Sequence, residues 1–284
     1  MNPVGVHALV WVGGWSPQEC ELAVSSSKAA GYSLIEIPVL DPARIDTAMT
    51  RETLRRHGLD AACSLGLAHD TDISSEDPDR VAAGEKLLHR ALDVTHDIGA
   101  AYLGGVLYSA LGRYTTPPSE RGRRNAAAVL RELAAAAARA GITLGIEPVN
   151  RYESNLVNTA EQALDLIGDV AANNVVVHLD AYHMNIEESD FRAPILRCGD
   201  LLGYVHVGES HRGYLGTGSV DLAALFDALA ETGYTGPVTF ESFSSAVVDP
   251  RLSSTLAIWR NLWSDGMDLA TSARAEIASH LGRR

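Results

Sequence analysis

The runs Ile142-Thr-Leu-Gly-Ile-Glu147, Val175-Val-Val-His-Leu-Asp180, Leu202-Gly-Tyr-Val-His206 and Pro237-Val-Thr-Phe-Glu241 share one design. Each is a short aliphatic or β-branched stretch that reads as a buried strand, and each closes on a residue able to ligate a metal. Their last residues stand 33, 26 and 35 positions apart, the length of one strand-and-helix unit. Parallel barrels carry their chemistry at the C-terminal ends of strands. Four ligands recurring there predict one divalent ion held by Glu147, Asp180, His206 and Glu241.

Outward from these runs the alternation continues in both directions. Upstream strands are expected over residues 4–12, 34–40, 61–65 and 102–107. Ser16-Pro17 opens the first helix as cap and first turn, and Gly31, Gly58, Gly99 and Gly141 punctuate helix ends. Helices are expected over 46–57, from Ser75-Glu76-Asp77-Pro78 to Gly99, and over 125–140. Further ones fall near 159–167, 188–197, 221–232 and 252–262, and the stretch 108–118 reads as a long loop. Eight such units with no linker predict a single-domain α/β fold, a (β/α)8 TIM barrel over residues 1–284, with a C-terminal helical extension at about 265–284. Neither GxGxxG nor GxxxxGK[ST] occurs, which removes the usual nucleotide signatures.

Composition narrows the function classes. The 284 residues are 46% hydrophobic, enough for one large core. The net charge is −13 and no basic run tracks a phosphate backbone, so nucleic acid is not an expected partner. Cys20, Cys63 and Cys198 are scattered outside any CxxC spacing and read as buried thiols in a reducing cytoplasm. The first residues lack a basic, then apolar leader, and no run of about 18 apolar residues occurs, so a soluble cytoplasmic protein without membrane contact is expected.

Three carboxylates with one imidazole suit Mn²⁺ or Mg²⁺, with Co²⁺ also admitted, rather than a thiolate-rich structural zinc. Such a set leaves coordination positions for two adjacent sugar oxygens, which would polarise a carbonyl and acidify the neighbouring C–H. Glu147 and Glu241, on the fifth and eighth strands, are the natural proton-transfer pair. Glu153, His183 and Arg212 follow the ligands by six, three and six positions and are candidates for substrate oxygens and enediolate charge. The competing reading of each is a capping or ion-paired surface group. His178 reads as a hydrogen-bonded structural histidine on the opposite strand face from Asp180, whereas His7 and His211 are placed to line the mouth.

The stretches Glu147-Pro-Val-Asn-Arg-Tyr-Glu153, His178-Leu-Asp-Ala-Tyr-His-Met-Asn-Ile-Glu-Glu188, Tyr204-Val-His-Val-Gly-Glu-Ser-His-Arg212 and Phe240-Glu-Ser-Phe243 resemble the ketose 3-epimerase family of xylose isomerase-like TIM barrels. The run from Gly208 to Asp221 is most similar to its actinobacterial D-allulose/L-ribulose 3-epimerases. The resemblance implies metal-dependent C3 epimerisation of free ketoses through a cis-enediolate, on pairs such as D-allulose/D-fructose, L-ribulose/L-xylulose and D-tagatose/D-sorbose. It makes Glu147, Asp180, His206 and Glu241 the ligands and Glu147 and Glu241 the acid/base pair. It assigns Glu153, His183 and Arg212 to the oxygens around C1 to C3, sets Trp11 and Trp15 near the pocket, and has Leu65-Gly66-Leu67 and Tyr108 line it. A homodimer or homotetramer is implied as well. Where hexulose-active relatives carry an aromatic residue, this chain has His7-Ala8, which leaves the preferred sugar length open.

Three other activities fit a barrel of this kind. An aldose–ketose isomerase would need a second metal or a catalytic lysine, and the chain has only Lys28 and Lys86, both in expected helices. A DNA-repair endonuclease would need a histidine-rich trinuclear site and suits a charge of −13 poorly. A non-catalytic sugar-binding barrel would tolerate loss of Glu241.

Overall fold

Eight parallel strands close on themselves in the computed structural model, which describes residues 2–282. They are β1 (Val4–His7), β2 (Leu34–Pro38), β3 (Asp60–Leu67), β4 (Tyr102–Ala110), β5 (Thr143–Ile146), β6 (Val175–Asp180), β7 (Leu202–Val207) and β8 (Val238–Phe240). Each pairs with its neighbour in sequence, and β8 closes on β1 through Val4 beside Val238 and Val6 beside Phe240. The helices are α1 (Pro17–Ala29), α2 (Thr47–His57), α3 (Pro78–Ile98), α4 (Glu120–Arg139), α5 (Ala160–Val170), α6 (Ala181–Glu187), α7 (Arg192–Cys198), α8 (Leu222–Glu231), α9 (Pro250–Thr255) and α10 (Gly266–Leu281). The expected (β/α)8 barrel is therefore the fold. No helix among the described residues is long and apolar enough to cross a membrane.

Local chemistry accounts for the boundaries. Ser16 and Glu19 form a reciprocal capping box at α1, and Gly58 and Gly99 close α2 and α3 in the left-handed conformation. β1 ends at His7, short of residue 12, because the chain turns into a 3₁₀ segment at Ala8–Val10 where His7 Nδ1 accepts from the Leu9 N–H. β4 runs on to Ala110 and absorbs the start of the expected loop. The helix expected over 188–197 begins only at Arg192, as α7, and a short helix not expected from the sequence, α6, precedes it. Glu188 leaves the helical path and its Oε1 accepts from Ala160 N–H at the start of α5. The helix expected over 252–262 is the shorter α9. α10 buries Leu269, Ala270, Ala273 and Ile277 and contacts α8 and β8, and Tyr32 donates to its Ala270 carbonyl at 2.8 Å.

Side chains alternate in and out along each strand. Ile35, Ile37, Val205 and Val207 face the helical layer, whereas Leu34, Ala62, Tyr102 and Tyr204 form a separate cluster inside the barrel. Tyr102 and Tyr204 stack with centroids 4.5 Å apart, and Tyr204 pairs with Thr239 Oγ1 at 2.7 Å. This floor needs glycine beneath it, because a Cβ on Gly145 would fall inside the Tyr102 hydroxyl. Gly145→Val is expected to cost about 2–3 kcal/mol or more through overpacking, read as a fall of about 5 °C or more in Tm. An unchanged Tm would mean that Tyr102 can leave the floor freely.

Candidate active site

The ends of β5 to β8 bring the four expected ligands together above the aromatic floor. Asp180 is the last residue of β6 and caps α6, with Oδ1 accepting from Tyr182 N–H at 2.8 Å. Glu147 and Glu241 each stand one residue past a strand, held by N–H donation to the carbonyls of Gly105 and Val207. His206 Nδ1 lies 3.6 Å from Glu147 Oε1 and 3.7 Å from Glu241 Oε2. All four are buried. Asp180 Oδ2 and His206 Nδ1 have no hydrogen-bond partner among the described residues. Asp180, His206 and Glu241 each offer a ligand atom, all within 4.8 Å of one another. Buried oxygen and nitrogen donors at that spacing, with His206 Nδ1 left without a partner, fit a hard or borderline divalent cation.

Arg212, His183, Glu153 and His7 join this group. Arg212 adopts a left-handed backbone (φ 59°) in the loop after β7, and its guanidinium lies over Tyr182, 3.9 Å from the ring centroid. Its Nη1 donates to Glu241 Oε2 at 2.7 Å and stands 3.1 Å from Asp180 Oδ2. His183 Nδ1 accepts from Asn150 N–H at 3.1 Å, so a neutral ring turns its Nε2–H toward Asp180 and Glu147, 3.6 and 3.9 Å away. The side chain of Asn150 donates to Glu153 Oε1 at 2.8 Å. His7 Nε2 lies 3.2 Å from Ser64 Oγ and 3.9 Å from Glu241 Oε1. One pocket is lined by all of these except Asp180, and its other wall is apolar, with Leu9, Leu65, Leu111, Phe243, Leu252 and Leu256.

The remaining candidates lie elsewhere. Trp15 is buried with Nε1 donating to Thr50 Oγ1 at 3.0 Å and faces an adjoining cavity that shares Leu9, Gly66 and Leu252 with the pocket. Trp11 donates to Ser27 instead. Leu67 and Tyr108 are buried outside the lining. The Tyr108 hydroxyl donates to the carbonyls of Glu147 and Val157 and so braces the strand end, while Leu65 and Gly66 do line the pocket. His211 turns onto its own loop, where Nδ1 accepts from Gly213 N–H. His178 shares the inward face of β6 with Asp180 rather than the opposite one, because residues two apart point the same way. Neither of its ring nitrogens has a hydrogen-bond partner among the described residues, contrary to the hydrogen bonding expected of it, and the buried ring packs edge-on against Tyr204 and His206.

Sequence reasoning missed two residues. Glu36 on β2 is fully buried and its Oε2 lies 2.7 Å from His206 Nε2. Glu209 is buried at the start of the glycine-rich loop, where its carboxylate accepts from the N–H groups of Ser210, Gly216 and Val220. That loop's amides are thereby turned onto a carboxylate of the chain itself, not left free as a phosphate cradle.

The electrostatics separate the two glutamates. Burial lifts Glu147 to about 8, against the opposing pull of His206. Burial also works against the Glu241 carboxylate, but His206 and Arg212 outweigh it and hold its pKa below the ordinary value. Burial lowers His183 and His7, keeping both neutral. Glu153 is raised by burial to about 7, with Arg212 opposing. An acid with a raised folded-state pKa contributes stability that is complete below its unfolded pKa near 4.5 and lost as pH rises through about 7. Glu153→Gln is therefore expected to raise Tm by about 2–4 °C at pH 8 and hardly at pH 4.5. Equal shifts at both pH values in thermal melts would contradict this.

Residues 24–271 match the sequence profile of the xylose isomerase-like TIM barrel family, which is the class that the closed barrel and its strand-end carboxylates define. The chain is 51% identical to the L-ribulose 3-epimerase of Methylomonas sp. (strain DH-1), over 95% of this chain and 94% of that one. It is 49% identical to the ketose 3-epimerase of Arthrobacter globiformis, over 98% and 96%. The crystal structure of a Methylomonas sp. D-allulose 3-epimerase in complex with D-allulose superposes with a TM-score of 0.97 at 49% identity, covering 98% of this chain and 97% of that one. The chain belongs to the ketose 3-epimerase family, an isomerase branch of the xylose isomerase-like barrels.

Proposed function

We propose that this chain inverts C3 of free ketoses by proton transfer between Glu147 and Glu241. The observation that carries this reading is the pair itself: two buried carboxylates on different strands, each within 4 Å of the same imidazole nitrogen. Two carboxylates so placed are suited to take a proton from one face of a carbon and return one to the other. Glu241 takes the C3 proton of one epimer and Glu147 returns a proton to the other face, and the roles exchange in reverse. Glu147, Asp180, His206 and Glu241 would hold one divalent ion, Mn²⁺ or Mg²⁺ with Co²⁺ also accepted. Such an ion, when bound, polarises the C2 carbonyl and acidifies the C3–H.

The rest of the pocket serves the cis-enediolate. Arg212 and the His183 Nε2–H offset its negative charge, and Glu153 receives a hydroxyl at the C1 end. The apolar wall of Leu9, Leu65, Leu111, Phe243, Leu252 and Leu256 keeps water from the carbanion. D-allulose/D-fructose and L-ribulose/L-xylulose are the leading substrate pairs, supported by the substrates that the relatives are named for, with D-tagatose/D-sorbose next. Glu209's hold on the glycine-rich loop favours unphosphorylated sugars. Three buried free cysteines support a cytoplasmic location. Trp259, 70% exposed, suits a homodimer or homotetramer, which sizing by light scattering would check.

Incubation with each ketose and Mn²⁺ in D₂O tests the reading. Deuterium at C3 together with the C3 epimer supports it. Label at C1 or C2 with an aldose product would move the chain to aldose–ketose isomerisation. Binding without exchange of any ketose would make it a sugar-binding barrel.

A further inference from the structure

A carboxylate in the middle of Leu34-Ile-Glu-Ile-Pro38 is out of place by composition, since an ionised group buried in an apolar strand is costly unless it is paired. Alternation turns Glu36 inward with Leu34, and the side chain reaches past β1 and β8 to β7. There Oε2 meets His206 Nε2 at 2.7 Å. Because a carboxylate accepts, that nitrogen carries the hydrogen, and in the neutral ring that metal ligation requires, the other nitrogen, Nδ1, presents the lone pair. Nδ1 is the atom that has no partner and faces Glu147 Oε1 and Glu241 Oε2. The ring has little room to turn over, with His178 edge-on at 4.2 Å and Tyr204 at 5.7 Å between centroids. On the other side of Glu36, His7 Nε2 stands 3.6 Å from Oε1 while its Nδ1 accepts from Leu9 N–H, so His7 also turns an N–H toward the same carboxylate.

We infer that Glu36 is the positioning residue of His206, fixing the imidazole as its Nε2–H tautomer so that Nδ1 is aimed at the ion that Glu147, Asp180 and Glu241 would share. The inference rests on the metal-dependent reading of the site. A carboxylate behind a ligating imidazole fixes the ring's tautomer and orientation and makes the ligating nitrogen a better donor. Glu36 acts through His206 and takes no proton from substrate. Its loss therefore shows first in metal affinity and only through that in turnover.

Calorimetric titration of Mn²⁺ into chelator-treated wild type and Glu36→Gln, with the metal-free Tm of both, separates this role from simple packing. The expected result is a Kd raised about 10- to 100-fold in the variant, with a metal-free Tm within a few degrees of wild type. A folded variant whose Kd stays within about twofold would overturn the inference. Should the variant not fold, ¹⁵N NMR of histidine-labelled wild type loaded with Mg²⁺ decides: a proton on His206 Nε2 supports the assignment and a proton on Nδ1 overturns it. Wild type that takes up no Mn²⁺ fails the metal reading itself, and the inference with it.

Discussion

Glu241→Gln and Glu147→Gln are each expected to lower kcat for C3 epimerisation by at least about 10²- to 10⁴-fold, the range spanned by a positioned general acid or base, in protein that stays folded and keeps its metal. Glutamine preserves the shape and one ligating oxygen, so the loss isolates proton transfer. The two variants should also differ from each other. A site with one carboxylate per face of the enediolate has two separate exchange reactions, and each variant removes one of them. Glu241→Gln should therefore still exchange the C3 hydrogen of the epimer whose C–H faces Glu147, without inverting it. Glu147→Gln should do the same for the opposite epimer. Proton NMR of wash-in from D₂O, run from both epimers with both variants, gives four rates that a one-base mechanism cannot reproduce. If either variant keeps more than a tenth of wild-type turnover, that carboxylate is not an acid or base of the reaction.

How far the sequence discloses this arrangement depends on how local the cause is. Strands five to eight were legible because each apolar run ends on a polar residue of the right chemistry, and the capping box at Ser16 and the stops at Gly58 and Gly99 act within a few residues. β1 was overextended because residues 4–12 are apolar nearly throughout, and periodicity cannot separate a strand from a buried 3₁₀ turn. The expected helix starts late because Glu188 is extended at the end of α6, its carboxylate held by the Ala160 N–H, and Asp190 then accepts from Ala193 N–H at the start of α7. Glu36 gave a signal that was there to be read, a lone carboxylate at an inward position of Leu-Ile-Glu-Ile-Pro. Its partner, 170 residues on, was not. His178 stands two residues before Asp180, and the period of two sets both on the inward face of β6. Leu67 and Tyr108 sit near the pocket without lining it, since β3 runs to Leu67 and β4 on to Ala110, two and three residues past the expected strand ends, and Trp15 faces the adjoining cavity.

Stripping divalent metal with a chelator is expected to abolish deuterium exchange and to lower Tm by roughly 5–10 °C, both reversed by Mn²⁺. Glu147, Asp180 and Glu241 are each at most 7% exposed, and among the described residues Arg212 is the one arginine or lysine that pairs with any of them, meeting Asp180 and Glu241 but not Glu147. Carboxylates so buried and so close destabilise one another, and burial has already pushed Glu147 and Asp180 upward in pKa. An ion that binds the folded chain alone adds RT ln(1 + [L]/Kd), about 2.7 kcal/mol at a hundredfold excess over Kd, and a chain of this size gains about 2–4 °C per kcal/mol. The sign of the pH effect follows from the same groups. Ligation needs Glu147 ionised, and its pKa of about 8 without metal means that binding must release a proton at neutral pH. Metal affinity, and with it the gain in Tm, should therefore fall as pH drops from about 8 toward 5 and level off above 8. A chelated protein that melts at the same temperature and still exchanges C3 would show that the four strand-end residues hold no ion, and the enediolate charge would then have to be offset by Arg212 and His183 alone.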